Sequence, residues 1–206
     1  TGEPGAFDHA LDAVLNSFAG TGGLRWARGP RVGTYYPKLW CMALRRAAAL
    51  DLAPGLADGA PLFDEHLAVY EDVELVERMR QRGWPVRYDP DVVVYHHRDT
   101  TLPAFARRSL AMGRTARRLG LHRLPHRVLS AALLAFATAA ALAAFHPAAR
   151  LGLAVLLGGY ALVLLPVAAV TLRRTRRADA ACLAPLLLVM LHLTRAAGYL
   201  AGGRRD

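Results

Sequence analysis

Carboxylates are scarce in the second half of this chain and cysteine is scarce throughout, and each shortage excludes something. The 206 residues carry 26 Lys and Arg against 16 Asp and Glu, a formal net charge of +10, and nearly all the acids precede residue 100. Cys41 and Cys182 are the only cysteines; one lies in a soluble stretch and one in an apolar run, so a disulfide framework is not expected and a reducing, cytoplasmic setting fits. No Cys/His spacing suits a zinc site. The glycine cluster GTGGLRWARGPRVG, 20 to 33, lacks the G-x-x-x-x-G-K-[ST] spacing of a phosphate-binding loop and follows no clear strand, so it reads as a plain flexible loop. Nucleic acid is not an expected partner, because the positive charge gathers beside apolar runs and no recognition motif accompanies it. The opening TGEPGAF has no initiator Met, basic start or apolar core, so it is not a signal peptide, and an internal start of this kind predicts residues upstream.

What the chain does contain is long apolar runs. Hydrophobic residues make up 54% and charged residues 20%, unevenly divided between a soluble part and a membrane part. Val128 to Phe145 is uncharged throughout, and Leu151 to Leu172 is interrupted only by Pro166. Each run is long enough to cross a hydrocarbon core of about 30 Å as a helix. Ala180 to Thr194 is shorter and meets Arg195, so two or three spans are expected. Arg107, Arg108, Arg114, Arg117, Arg118, Arg123 and Arg127 precede the first span, and Arg173, Arg174, Arg176 and Arg177 separate the second from the third. The positive-inside rule then places the soluble part and the 173 to 179 loop in the cytoplasm, at an inner membrane. Arg204 and Arg205 run against that count if the third segment crosses, which leaves a re-entrant or interfacial segment as the alternative.

In the soluble part, FDHALDAVLNSFAG, 7 to 20, spaces Leu11, Val14, Leu15 and Phe18 as a helix does. LWCMAL, 39 to 44, reads as a buried strand followed by a short helix in RRAAAL. In YEDVEL, Glu71 and Asp72 open a helix that carries Val73, Val76 and Met79 and ends at Gly83 after Arg78, Arg80 and Arg82. Acids at its start and arginines at its end both suit the helix dipole, so a helix terminus alone would account for the two acids. WPVRYDPDVVVYHHR predicts short strands at 85 to 88 and 92 to 95, with His96, His97 and Arg98 at a strand mouth, a place well suited to site chemistry. From Leu102 to Leu119, Phe105, Met112, Ala116 and Leu119 share one face and Arg107, Arg114 and Arg118 another. That is the pattern of a helix lying on a membrane surface, its arginines meeting lipid phosphates or another anionic ligand.

The order LFDEHLAVYEDVELVERMRQRGWPVRYDPDVVVYHHRDT, then a basic helix, then apolar spans, resembles the C-terminal half of a membrane-bound family 2 glycosyltransferase. The similarity is to the branch that includes succinoglycan-type exopolysaccharide enzymes, and it covers about residues 10 to 203. NSFAGTGG, MALRRAAALDL and LHLTRAAGYLAGG look like flanking segments of the same family. The resemblance implies an α/β fold, the acceptor-side part of a GT-A domain over residues 1–101, followed by an interfacial helix at 102–127 and two or three transmembrane helices at 128–206. It implies inverting transfer from a nucleotide sugar to a polyprenyl-linked, glycolipid or polysaccharide acceptor. Asp72 matches the general base, beside Glu71, and an acceptor hydroxyl must indeed lose its proton to a carboxylate within about 3 Å as it attacks. Arg98, Arg107, Arg108 and Arg114 would neutralise the leaving diphosphate. His96 or His97 matches the histidine that approaches a divalent Mg or Mn ion, whose main ligands would lie outside this chain. Asp89 to Asp91 spells D-x-D in the place of the family's Tyr-x-Pro turn, so the nucleotide-binding half is expected to be absent and the chain alone inactive. Arg108 and Met112-Gly113 depart from the family's Gln-aromatic-Gly pattern. The Arg-Trp element of processive synthases is missing, which implies one sugar per encounter. A non-catalytic membrane anchor or scaffold, binding anionic lipids or a partner chain, is the alternative.

Overall fold

The computed structural model describes residues 4–21, 31–32, 41–89, 91–92, 94, 100–121 and 123–203. They belong to two compact units, one of Thr1–Gly23 with Thr101–Asp206 and one of Leu24–Thr100.

The smaller unit is built on α4, Glu71–Gln81. Val73, Leu75, Val76 and Met79 give it a buried face, while Glu74 and Arg78 pair at 2.7 Å one turn apart along it. The helix stops at Gly83, whose φ of 79° suits the residue just past a helix end. The Trp84 N–H reaches back to the Met79 carbonyl and the Gly83 N–H to that of Arg80, both at 2.9 Å, which satisfies carbonyls the last turn would leave bare. Val76, Met79 and Val86 form a small core with Met42, Leu44, Leu52 and Trp84. The short α3, Arg46–Leu52, precedes a 3-10 turn at Pro54–Asp58. Asp51 ties α3 to the end of α4 by accepting the Trp84 indole N–H at 2.8 Å and pairing with Arg82 at 3.3 Å.

The expected α/β architecture does not form. Pairing among the described residues is confined to β1, Arg31–Val32, against β2, Arg87–Tyr88, with Arg31 opposite Tyr88 and Val32 opposite Arg87. Residues 42 to 45 are irregular, as are Val92 and Val94; the helix expected in RRAAAL is present as α3. A strand is stable only when its backbone groups find a neighbouring strand. Here Met42, Leu44 and Val86 pack their side chains against α4 instead, from backbone that has no strand partner among the described residues over most of its length. An apolar run with no period cannot by itself distinguish these outcomes.

The larger unit is all helix: α1 (Ala6–Leu15), α2 (Phe18–Thr21), α5 (Leu102–Leu119), α6 (Arg123–Leu142), α7 (Pro147–Thr175) and α8 (Ala178–Ala201). The helix foreseen over 7 to 20 is broken at Asn16 and Ser17. Ser17 Oγ donates to the Val14 carbonyl at 2.7 Å and accepts the Gly20 N–H at 2.9 Å, closing α1 and starting α2. Ala10, Leu11, Val14 and Leu15 of α1 pack with Phe105, Val167, Ala180, Ala184, Leu187, Leu188 and Leu191, so the core of this unit centres on α8. By contrast only Val167 and Thr171 are buried along α7, which is apolar all round. Thr171 and Thr175 return their hydroxyl protons to carbonyls four residues back, at 2.7 and 2.8 Å.

Three helices, Leu124–Leu142, Pro147–Thr175 and Ala178–Ala201, are long and apolar enough to cross a membrane. A protein with such segments is a membrane protein. Along helix α5, Phe105, Ser109, Gly113 and Ala116 are buried, and the helix lies along α8. A Cβ on Gly113 would stand 2.8 Å from the Tyr199 nitrogen and closer still to the Arg195 carbonyl, and one on Gly198 would meet the Leu110 carbonyl. One on Gly202, four residues on, would come within 3.0 Å of the Arg114 carbonyl. Glycines at this spacing let two helix backbones approach more closely than side chains allow.

Candidate functional site

Glu71 and Asp72 occupy the first turn of α4, where the unpaired N–H groups of a helix favour carboxylates. Tyr70, just before them, has φ 67° and ψ 18°, a left-handed conformation that is uncommon in a residue with a large side chain. Its carbonyl accepts the Glu74 N–H at 2.9 Å, so the turn into the helix is made through that conformation. The chain therefore enters α4 sharply and sets Asp72 inward. Asp72 is 6% exposed, between buried Val69 and Val73, and its Oδ1 accepts the Val73 N–H at 2.9 Å; Glu71 is half-buried. A helix terminus does not by itself require this left-handed conformation. Arg78 donates to the Leu62 carbonyl at 2.7 Å as well as to Glu74, which fixes the LFDEH segment beside the same helix. Within that segment Asp64 builds a turn, its carboxylate accepting the His66 N–H at 3.0 Å.

The other predicted site residues are not brought to this place within the smaller unit. Arg107, Arg108 and Arg114 are exposed on α5 of the larger one. His96, His97 and Arg98 lie outside the described residues. No three His, Cys, Asp or Glu side chains gather to hold a metal ion among the described residues. Those residues do not furnish a ligand set for Mg or Mn.

The larger unit holds two polar clusters that apolar patterning does not reveal. In the first, His192 of α8 bridges α7 and the α1–α2 segment: its Nε2 is 2.9 Å from the Ala19 carbonyl and its Nδ1 is 2.8 Å from the Tyr160 hydroxyl. A carbonyl can only accept, so Nε2 carries the proton and Nδ1 accepts from Tyr160. Arg195, one turn on, donates to the Gly20 carbonyl at 3.0 Å. The two side chains thus hold the otherwise open end of α2. In the second cluster, the His126 ring of α6 stacks on Tyr199 of α8 at 5.2 Å between centroids, with planes 4° apart. The Arg117 guanidinium lies 5.1 Å from the centroid of the same ring, and Arg127 follows His126 on α6. The sequence signal for both clusters is the occurrence of His192, Arg195 and Tyr199 in an otherwise apolar helix, where polar groups persist only with partners.

In comparison with known proteins, no family model, no curated sequence and no solved structure matches this chain.

Proposed function

We propose that this chain is the acceptor-side, membrane-bound part of an inverting glycosyltransferase, in which Asp72 is the general base. Its substrates are a nucleotide sugar and a polyprenyl-linked or other glycolipid acceptor, at the cytoplasmic face of an inner membrane. The observation that carries the reading is the Glu71-Asp72 pair at a helix start entered through left-handed Tyr70, within the LFDEH, YEDVEL, GW and YHHR order. As the acceptor oxygen attacks the anomeric carbon, its proton passes to the Asp72 carboxylate and the nucleoside diphosphate departs from the opposite face. Asp72 is shielded from bulk solvent, which limits the competing reaction with water. Glu71 adds negative charge beside the base. The reading requires a nucleotide-binding half supplied in cis or in trans, and no step in it is routed through a divalent ion.

Replacing the chromosomal copy with Asp72→Asn, in the cell that encodes it, tests this. Loss of a general base lowers transfer about 10²- to 10⁴-fold, read as lipid-linked or exported glycan, while the protein stays in the membrane. Undiminished glycan from Asp72→Asn, with Asp64→Asn as the control, sinks the assignment. The second reading, a non-catalytic anchor for a partner chain or anionic lipid, is favoured by the three apolar helices. It predicts that Asp72→Asn is silent and that deletion of α7 and α8 is not.

A further inference from the structure

We infer that Arg117 and Arg127, gathered on Tyr199 where α5, α6 and α8 meet, form a binding site for the phosphate of an anionic membrane lipid. Charge balance is the first ground. From residue 100 to residue 178 the chain has no carboxylate, and the described acids of the larger unit are all engaged elsewhere. Asp8 accepts the Gly5 N–H, Asp12 accepts from Asn16, and Asp179 pairs with Arg177 at 2.7 Å. Arg117 lies against the Tyr199 ring and Arg127 follows His126, which stacks on the same ring, and no described acid of this unit is free to pair with them. Such a pair repels most strongly at the edge of an apolar phase, and a phosphate bound between them removes the repulsion.

Preorganisation is the second ground. Arg117 is half-buried and held against the Tyr199 ring, and the stacked His126 is 4% exposed, so the ring between them has a fixed orientation. A Cβ at Gly202 would lie 2.9 Å from the Arg117 Cβ, which shows how closely α8 backs the arginine. The buried Arg117 Nε and the Ser130 Oγ, four residues beyond His126 on α6, have no hydrogen-bond partner among the described residues. Both are donors of the kind a phosphate oxygen uses. Arg127 is exposed and adjoins the apolar surface of α6, where Leu124 and Val128 are also exposed. A lipid can lay its chains on that surface while its headgroup reaches the arginines. The site does not depend on the transferase reading, since Asp72→Asn touches none of these residues.

The test is titration of the detergent-solubilised full chain with fluorescent phosphatidylglycerol, using phosphatidylcholine and inorganic phosphate as competitors. Saturable binding is expected, and Arg117→Gln with Arg127→Gln weakens it at least about tenfold, the loss of two charge-assisted contacts. The same charge removed at Arg173 and Arg174 changes it less than about twofold. Arg127→Gln alone alters an exposed side chain and is expected to weaken binding with helicity retained, which covers failure of the double variant to fold. Equal weakening by the two double variants would reduce the site to general charge. Competition by inorganic phosphate as effective as that of the lipid would make it a free-anion site, and absence of saturation would remove it.

Discussion

Gly198→Ala puts a methyl group where α8 meets the backbone of α5. Its Cβ would overlap the Leu110 carbonyl oxygen and stand 3.0 Å from the Leu110 carbonyl carbon and 3.2 Å from the Arg114 nitrogen. Carbon contacts are comfortable at about 3.5–4.0 Å, so the two helices must part by about 1 Å; a gap of that size forfeits a quarter to a half of the dispersion well for the atoms lining it. Overpacking costs about 1–3 kcal/mol, an overlap with backbone lies at the upper end, about 2–3 kcal/mol, and alanine recovers about 1 kcal/mol over glycine inside a helix. The net expectation is a loss of about 1–2 kcal/mol, equivalent to a fall in Tm of about 2–8 °C for a unit of this size. Thermal unfolding of the full chain in micelles, followed by circular dichroism, measures it. Gly158 of α7 is the control, because a Cβ there meets nothing within 4 Å, so Gly158→Ala is expected to be neutral or stabilising. A Gly198→Ala protein as stable as the parent would refute the close α5–α8 contact, and so would a Gly158→Ala protein equally impaired.

Three smaller perturbations follow from the same contacts. His192→Leu keeps side-chain volume but removes the partners of the Ala19 carbonyl and the Tyr160 hydroxyl; faster amide exchange confined to residues 4–21 is the expected signature, and unchanged exchange there would dismiss the bridge. Gly83→Ala meets no atom within 4 Å yet must adopt φ 79°, so it is expected to cost about 1 kcal/mol through backbone strain alone. Asp51→Ala removes the acceptor of Trp84 and the partner of Arg82; urea unfolding is expected to show a loss of about 1 kcal/mol and a change in the environment of Trp84 fluorescence.

Local signals in the sequence were legible where each had a single physical meaning. The acid start, apolar face and glycine stop of α4 fix its ends at Glu71 and Gln81, with Gly83 beyond. The apolar runs give three helices long enough to span. The failures lie where a signal depends on distant partners. LWCMAL and WPVRYDPDVVV have strand composition, but a strand needs a neighbour that the sequence does not display, and here they supply Met42, Leu44 and Val86 to a helix-based core. The apolar and arginine faces of the basic helix read as a helix on a membrane surface; its contact with α8, marked by Ser109 and Gly113, is not visible in that pattern. Nor does composition show α1 packed on α8 across more than 160 positions of chain, since Leu11 and Val14 would suit any core.

The contacts within the larger unit also bear on how many of the three apolar helices cross. Helices α7 and α8 are joined by Arg176 and Arg177 alone. Tyr160, 15 residues back from Thr175, meets His192, 14 residues on from Ala178, so the two run antiparallel as a hairpin. Tyr199 then lies toward the open end of that hairpin, where α7 begins. Helix α6 reaches this end twice. Its last turn joins Pro147 through residues 143–146, and in its first turn His126 stacks on Tyr199. Phe136, between them, meets Tyr160 at 6.2 Å, as a helix running across the hairpin would. Three successive crossings would put the start of α6 and the end of α8 on opposite faces of a core about 30 Å thick. Rings 5.2 Å apart do not allow that, so α7 and α8 are expected to cross and α6 to lie across their open end. Arginine counting places Arg176 on the same side as the residues before α6, whereas the hairpin places it on the other. Single cysteines at Leu121, Phe145, Arg176 and Gly203, in a chain with Cys41 and Cys182 changed to serine, decide the matter by impermeant labelling of sealed vesicles. The hairpin gives one side for 121, 145 and 203 and the opposite side for 176. Three crossings pair 121 with 176 and 145 with 203, which would refute the contact between His126 and Tyr199; crossing by α6 and α7 alone isolates 145, which would refute the contact between Tyr160 and His192.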